Sequence, residues 1–168
     1  GGGIYCTGHA TIRNNQIVNN EASQDGGGVD CYEWNTIEGN TISRNRANRG
    51  GGIWSWEDFP ATILNNIISD NHAQTAGGGI GLLWDYKTLI AGNLIVRNDS
   101  DGAGGGIWMQ SDIAIIANNT IVQNTAGCGG GIYGGYNGPY TPITNCVLWD
   151  NGDDLFDCSA TYSCVEDP

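Results

Sequence analysis

The stretch GGGIWSW at residues 50–56 places three consecutive glycines directly before a segment with two tryptophans. A run of glycines is typical of a flexible linker, whereas tryptophan carries a large apolar ring that folded proteins use for packing or contacts. Three glycines followed by isoleucine or valine recur at Gly1, Gly26, Gly50, Gly77, Gly104 and Gly129. The glycines therefore belong to a repeat with a period of 24 to 27 residues.

Aligning the six repeats at their glycines produces columns of apolar residues and columns of asparagine. The first apolar column contains Ile4, Val29, Ile53, Ile80, Ile107 and Ile132. The second contains Ile12, Ile37, Ile63, Ile90, Ile116 and Ile143, and the third contains Ile17, Ile42, Ile68, Ile95, Ile121 and Leu148. One asparagine column contains Asn20, Asn45, Asn71, Asn98, Asn124 and Asn151, and the other contains Asn15, Asn40, Asn66, Asn93 and Asn119, with Cys146 in the last repeat.

Three anchors per repeat, most of them β-branched and each in a short segment, predict three short strands per repeat. Stacked repeats would place each isoleucine about 4.8 Å from the isoleucine of the next coil and align the asparagine amides for hydrogen bonding. A helical solenoid would need a 3.6-residue period and few glycines. We therefore predict an all-β, right-handed parallel β-helix (solenoid) of about six coils of 24–27 residues, forming a single domain over residues 1–168.

The pattern GGGI…ATIxNNxI…NxA resembles the repeats of parallel β-helix proteins of the pectate-lyase-like superfamily. More narrowly, it is similar to the GGxI and FxxN repeats of bacterial polymorphic outer-membrane and adhesin-type proteins. The segment ITNCVLWDNGDDLFDCSATYSCVED at residues 143–167 resembles the closing coils of large secreted bacterial β-helix proteins. The resemblance implies the fold over nearly the whole chain, but that superfamily includes lyases, hydrolases, adhesins, filaments and scaffolds.

The charge and the two ends limit the expected partners. The formal net charge of −12 argues against binding to nucleic acid or to anionic membrane surfaces. No apolar run reaches transmembrane length, so membrane insertion is not expected. Neither end carries an obvious polar cap, which predicts a segment of a longer protein or one protomer of a filament.

Six cysteines, an even number, indicate an oxidising compartment, and we expect an extracellular or cell-surface location. Cysteines at the same position of adjacent coils would lie within disulfide range. The predicted pairs are Cys6–Cys31, Cys146–Cys164 and Cys128–Cys158. The alternative is that all six are free thiols in the wall of the solenoid. No CxxC spacing occurs, so we predict no metal site of that kind.

Most aromatic residues lie between the first and second anchors of each repeat, where strand alternation directs alternate side chains outward. The predicted binding face contains Tyr5, Trp54, Trp56, Trp84, Trp108 and Tyr133. Such a face can bind sugar rings, contact another protein, or only cover the sheet beneath it. The sequence leaves these three interpretations open.

A carbohydrate-active enzyme, either a polysaccharide lyase or a glycoside hydrolase, is the alternative to a non-catalytic module. Its candidate catalytic residues are Glu57, Asp58, Asp85 and Lys87, because neighbouring coils can bring carboxylates together and supply one cation. The acidic residues nevertheless recur along the wall without forming one distinct cluster. A polyuronate substrate would also need clustered basic residues at this net charge, so we predict no catalytic residues.

Two further motifs concern ions and glycans. The sequence NDSDG at residues 98–102 alternates oxygen ligands as calcium loops do, but lacks their remaining spacing and terminal glutamate. We therefore predict no cofactor, with Ca²⁺ left open. Asn118 is the glycosylation candidate, because the other sequon asparagine, Asn98, belongs to an interior column.

Together these patterns predict a non-catalytic, extracellular structural, adhesive or filament-forming module with an aromatic and acidic outer face. The expected partners are other copies of the chain or neighbouring β-helix segments, end to end or laterally, and an extracellular polysaccharide. A carbohydrate-binding module or a carbohydrate-active enzyme is the alternative.

Overall fold

A computed structural model describes residues 1–56, 60–84, 86–110 and 113–166, and shows a parallel β-solenoid. Strands at the same position of successive coils pair in parallel and build four sheets that run along the solenoid. The predicted all-β solenoid of about six coils is confirmed. No helix in the described part of the chain has the length and apolar character needed to cross a membrane.

Three of the sheets have seven strands and correspond to the three predicted anchor columns. The first sheet contains Ile4–Cys6, Val29–Tyr32, Ile53–Trp56, Ile80–Leu83, Ile107–Met109, Ile132–Tyr133 and Leu155–Phe156. The second contains Thr11–Arg13, Thr36–Glu38, Thr62–Leu64, Tyr86–Ala91, Ile113–Ala117, Ile143–Thr144 and Ala160–Thr161. The third contains Gln16–Val18, Thr41–Ser43, Ile67–Ser69, Leu94–Val96, Thr120–Val122, Val147–Trp149 and Cys164–Val165.

A fourth, four-stranded sheet was not predicted. It contains Arg46–Arg49, His72–Ala76, Asp99–Ala103 and Thr125–Cys128. Its inward positions hold the buried small residues Ala47, Ala73 and Ser100, so no apolar column marked it in the sequence. A 3₁₀ helix at Gly135–Tyr140 interrupts the wall between the first and second sheets.

The predicted isoleucine columns lie in register in the core. In the second sheet, Ile37 pairs with Ile12 on one side and with Ile63 on the other. The second column continues in the same register through Ile90, Ile116 and Ile143, and all of its members are buried. Like residues therefore lie over like residues along the axis.

The chain closes with a shortened coil that lacks a glycine triplet. Its strands place Leu155 opposite Ile132, Ala160 opposite Ile143, and Cys164 opposite Val147. The register of the last coil therefore does not follow the repeat period of the earlier ones.

The glycine triplets form a tight corner between the fourth and first sheets. Gly50 adopts a left-handed conformation (φ 59°), which glycine accepts without strain. A Cβ atom on Gly52 would lie 2.5 Å from the carbonyl oxygen of Gly79 in the next coil. The middle glycines also join the coils, because the Gly51 amide donates to the Gly77 carbonyl at 3.0 Å. The triplet therefore permits close stacking directly before the aromatic strand.

Both asparagine columns form hydrogen-bonded ladders, as predicted. In the interior of one ladder, the Asn71 side-chain amide donates to the Ile42 carbonyl and to Asn98 Oδ1, both at 2.9 Å. Its own Oδ1 accepts from the backbone amide and the side-chain amide of Asn45, at 3.0 and 2.9 Å. Every polar atom of the buried side chain is thus used, and each bond joins one coil to another.

We predict that Asn71→Ala lowers the free energy of unfolding by about 3 kcal/mol. The change leaves the buried Ile42 carbonyl and Asn45 amide without partners, at about 1–3 kcal/mol for each group. Asn15→Ala is the matched control, because Asn15 belongs to the other ladder but is exposed in the first coil. Urea unfolding should give a loss of about 1 kcal/mol or less for Asn15→Ala. Equal losses of unfolding free energy for the two variants would contradict the stabilising role of the buried ladder asparagines.

Candidate functional site

The outward positions of the first sheet form one row along the solenoid. Parallel register places Tyr5, Asp30, Trp54, Gly81, Trp108, Tyr133 and Phe156 side by side in successive coils. Four predicted members of the binding face, Tyr5, Trp54, Trp108 and Tyr133, therefore do share a row. Trp56 lies in a parallel row beside Tyr32, and Trp84 is exposed just beyond the strand of its coil.

Trp54 is a correction to the predicted binding face, because its side chain is 0% exposed. The ring fills the space above Gly81, where a Cβ atom would lie 2.4 Å from ring carbon Cε3. The Trp108 ring stacks beside the Trp54 ring, with the two centroids 5.8 Å apart. The Arg49 guanidinium lies 4.6 Å from the centroid of the Trp54 ring. Trp54 therefore supports the face from below and cannot contact a ligand.

The face is closed around the second and third coils. Asp30 is buried, and burial raises the pKa of its carboxyl group. The Tyr32 ring packs edge-on against both Tyr5 and Trp56, at 5.5 and 4.6 Å between centroids. These contacts make a packed aromatic cluster with no room for a ligand ring between its members.

At the other end of the row the face opens into a groove of about 570 Å³. Trp108 and Tyr133 form its floor, and Tyr136 of the 3₁₀ helix projects beside them with 84% of its surface exposed. The remaining lining residues are Ala103, Gln110, Cys128, Gly135 and Asp157. This volume lies within the usual range of small-ligand sites, about 300–1,000 Å³.

The aromatic floor of the groove is held in a fixed orientation. The Tyr133 ring stacks on Phe156 of the last coil, with centroids 5.3 Å apart and an interplanar angle of 9°. Burial, reinforced by Cys128 and Asp157, raises the pKa of the Tyr133 phenol. The hydroxyl therefore stays protonated at neutral pH and remains able to donate a hydrogen bond.

The groove residues Gln110 and Asp157 were missed in the sequence, and so was Phe156, which stacks on Tyr133. Phe156 and Asp157 lie in the shortened coil, which has no glycine triplet to align it with the earlier repeats. Gln110 lies just after a strand of the first sheet, at a position without a repeated residue type. Tyr136 belongs to the aromatic segment, but its exposure depends on the 3₁₀ helix.

Most of the alternative catalytic set cannot be placed. Glu57, Asp58 and Asp85 lie outside the described residues. Lys87 is exposed in the Tyr86–Ala91 strand and has a left-handed backbone conformation (φ 70°). The lyase and hydrolase interpretations that depend on these four residues therefore stay untested predictions.

Two of the three predicted disulfides do not fit the observed positions. Cys6 and Cys31 are register partners with their thiols in contact, so this pair remains a prediction. Cys146 is buried and its backbone amide donates a hydrogen bond to Ser163 Oγ, whereas Cys164 is exposed beside Val147. Because the last coil is shortened, the two cysteines are offset by one residue and face opposite sides of the wall.

The remaining pair is also separated by the wall. Cys128 lines the groove, whereas Cys158 packs against the core with its thiol directed at the Ile132 carbonyl. Burial raises the pKa of Cys158 to about 12 and also raises that of Cys146. Cys128, Cys146, Cys158 and Cys164 are thiols in the structure.

Other predicted features lie on the fourth sheet and on the corners. Asn118 is exposed at a corner, so the glycosylation prediction remains sterically open. Asn98 is buried in a ladder, with its side-chain amide bonded to the Ile68 carbonyl and to Asn124 Oδ1.

Among the described residues, His72, Asp99 and Asp101 bring three metal-binding atoms within 4.8 Å of one another.

In a comparison with protein families, the family described as "Right handed beta helix region" matches residues 2–165. The chain therefore belongs to this family. Comparisons with curated proteins and with solved structures found no match.

We predict that iodoacetamide at pH 8 modifies Cys164 first and Cys158 far more slowly in the folded chain. Cys164 is exposed, whereas a thiol with a pKa of about 12 is ionised in only about one molecule in 10⁴ at pH 8, and the thiolate is the nucleophile. Raising the pH should speed modification of Cys158 as long as the fold persists. Peptide mass mapping measures the order. Equal rates, or a Cys128–Cys158 disulfide in the purified chain, would contradict these positions.

Proposed function

We propose that this right-handed β-helix is a non-catalytic, extracellular adhesive module that binds saccharide chains in the groove beside Trp108. The observation that carries the proposal is the groove itself, which combines the exposed Tyr136 ring with the fixed rings of Trp108 and Tyr133. Elsewhere in the first sheet, Trp54 is buried and Tyr32 packs edge-on against Tyr5 and Trp56.

Aromatic rings suit saccharides because a sugar ring presents apolar C–H groups on its faces and hydroxyl groups around its edge. The rings can accept the C–H faces, while a few polar groups fix the orientation of the hydroxyls. Tyr133 and Asp157 bring a phenol hydroxyl and a carboxyl group to the residues that line the groove. Stacking and hydrogen bonding therefore meet at one place, as a sugar-binding site requires.

The charge of the chain favours neutral sugars over acidic ones. The net charge is −12, and Asp157 adds a carboxylate inside the groove. A uronate or sulfated polymer would be repelled without a compensating cation. We therefore expect neutral oligosaccharides to bind more tightly than polyanionic ones of the same length.

Binding without cleavage is the better-supported form of the proposal. Glycoside hydrolysis by the usual mechanism needs two carboxyl groups about 5–9.5 Å apart on either side of the scissile bond. Among the described residues that line the groove, Asp157 is the one with a carboxylate. The carbohydrate-active alternative rests on Glu57, Asp58 and Asp85, which lie outside the described residues, and on Lys87, which is not among the described residues that line this groove.

The adhesive role also rests on the solenoid as a stiff support. Ladder hydrogen bonds and buried isoleucines join the six repeats to one another, so the groove lies on a wall with little freedom to deform. In this proposal further copies of the chain, or neighbouring β-helix segments, continue the stack end to end or pack laterally.

The test is a glycan array followed by isothermal titration with the best neutral oligosaccharide. We predict that Tyr136→Ala weakens binding about tenfold, the effect of losing one stacked ring. Because the Tyr136 side chain is so exposed, its removal should leave the unfolding midpoint unchanged. Trp149→Ala is the matched control, because Trp149 is 48% exposed on the third sheet, away from the groove.

The same samples separate the competing functions. Retention of full affinity in Tyr136→Ala, or equal loss in Trp149→Ala, would contradict the groove as the binding site. Release of shortened products from the bound polysaccharide would overturn the non-catalytic assignment. Loss of that activity in Lys87→Ala would then support the catalytic alternative.

A further inference from the structure

The fourth sheet carries a polar cluster on its outer surface that the saccharide groove does not use. Parallel register places His72 of one coil opposite Asp99 of the next. Ser100 is buried, so the alternation of the strand directs Asp99 and Asp101 outward on either side of it. One imidazole ring therefore has two carboxylates as neighbours, all three held by sheet hydrogen bonding.

One carboxylate fixes the orientation of the ring. His72 Nδ1 lies 2.9 Å from Asp99 Oδ2, within hydrogen-bonding distance. The other oxygen of the same carboxylate accepts a hydrogen bond of 2.6 Å from Thr125 Oγ1 in the following coil. Asp99 is thus held from both sides, and a proton on Nδ1 leaves Nε2 with its lone pair available.

The second carboxylate stands at a different distance. His72 Nε2 and Asp101 Oδ2 are 3.6 Å apart, which is longer than a hydrogen bond. Zinc binds histidine nitrogen at about 2.0–2.1 Å and carboxylate oxygen at about 2.0–2.2 Å in tetrahedral geometry. Two such ligands on one ion lie about 3.4 Å apart, so the observed gap matches the separation of metal ligands.

We propose that His72 Nε2 and the Asp101 carboxylate bind a divalent transition-metal ion of the zinc type, with Asp99 as the positioning residue for the imidazole. A metal-bound histidine usually donates its other ring N–H to a carboxylate, which is the arrangement of His72 and Asp99. The two protein ligands leave coordination positions for water or for a group of a partner.

The chemistry of the donors selects the class of metal. Imidazole suits Zn²⁺, Cu²⁺ and Ni²⁺, whereas Ca²⁺ and Mg²⁺ prefer sites made of oxygen ligands. The calcium loop considered at residues 98–102 would also need the Asn98 side chain, which is engaged in the ladder. The segment is therefore better suited to a site that includes His72 than to a calcium loop.

The charges around His72 favour the binding of a divalent cation. Arg46 is the register neighbour of His72 on the side away from Asp99, and its side chain is exposed. The two carboxylates contribute two negative charges against this one cation. The net charge of −12 attracts divalent cations to the surface as a whole.

The test is isothermal titration of the folded chain with ZnCl₂, followed by CaCl₂ and MgCl₂. We expect one zinc ion per chain, with much weaker binding of calcium and magnesium. His72→Ala and Asp101→Asn should abolish this binding, and Asp99→Asn should weaken it about 10–100-fold. His9→Ala is the matched control, because His9 is the other histidine of the chain and stacks on Trp34.

Binding by thiols must be distinguished from binding by His72, and Co²⁺ substitution does so. Nitrogen and oxygen ligation gives no intense thiolate charge-transfer absorption, whereas cysteine ligation gives a strong band. Circular dichroism establishes that each variant is folded. Unchanged zinc affinity in folded His72→Ala, equal loss in His9→Ala, or a cobalt–thiolate band would overturn the proposal, and none of these results bears on saccharide binding.

Discussion

The stacking of asparagine amides fixes the register of each of the six repeats against the next. An interior residue such as Asn71 uses both donors and both acceptor lone pairs, and its partners lie in the two adjacent coils. A slip by one residue would break these bonds and turn the isoleucines of that strand outward. In these interior coils, a residue with a left-handed backbone conformation precedes each ladder asparagine. Examples are Arg44 before Asn45 and Asp70 before Asn71. The corners and the ladders therefore define one register together.

Because the register is fixed, the surroundings of each outward side chain depend on the residues at the same position in the neighbouring coils. Gly81 has no side chain, and the Trp54 ring occupies the space that this leaves. The Trp108 ring stacks on the Trp54 ring. The shortened last coil places Phe156 beside Tyr133, where the two rings stack and fix one side of the groove lining. The same constraint places His72 and Asp99 at hydrogen-bonding distance on another face. Both proposed sites are thus consequences of stacking between adjacent coils.

The repeat made the core predictable, because the isoleucine and asparagine columns need only a constant period. Features that depend on one particular pair of neighbours were harder to predict. Trp54 can be buried only because Gly81 in the next coil has no side chain. The alternation of residues within one strand carries no information about the residue in the next coil. The Cys146–Cys164 pair failed because the closing coil is shortened, so the period no longer gives the register there. The cluster at His72 lies on a sheet whose small inward residues leave no apolar signal.

Residue-resolved hydrogen exchange of the folded chain tests the central claim most directly. The backbone amides of Asn45, Asn71 and Asn98 donate to the ladder oxygens of the next coil and are buried. If the ladders hold the coils in register, these amides should exchange only through global unfolding, with the highest protection in the chain. The amide of Asn15, in the exposed first coil, should exchange much faster. Protection of the three interior amides no greater than that of Asn15 would contradict the account.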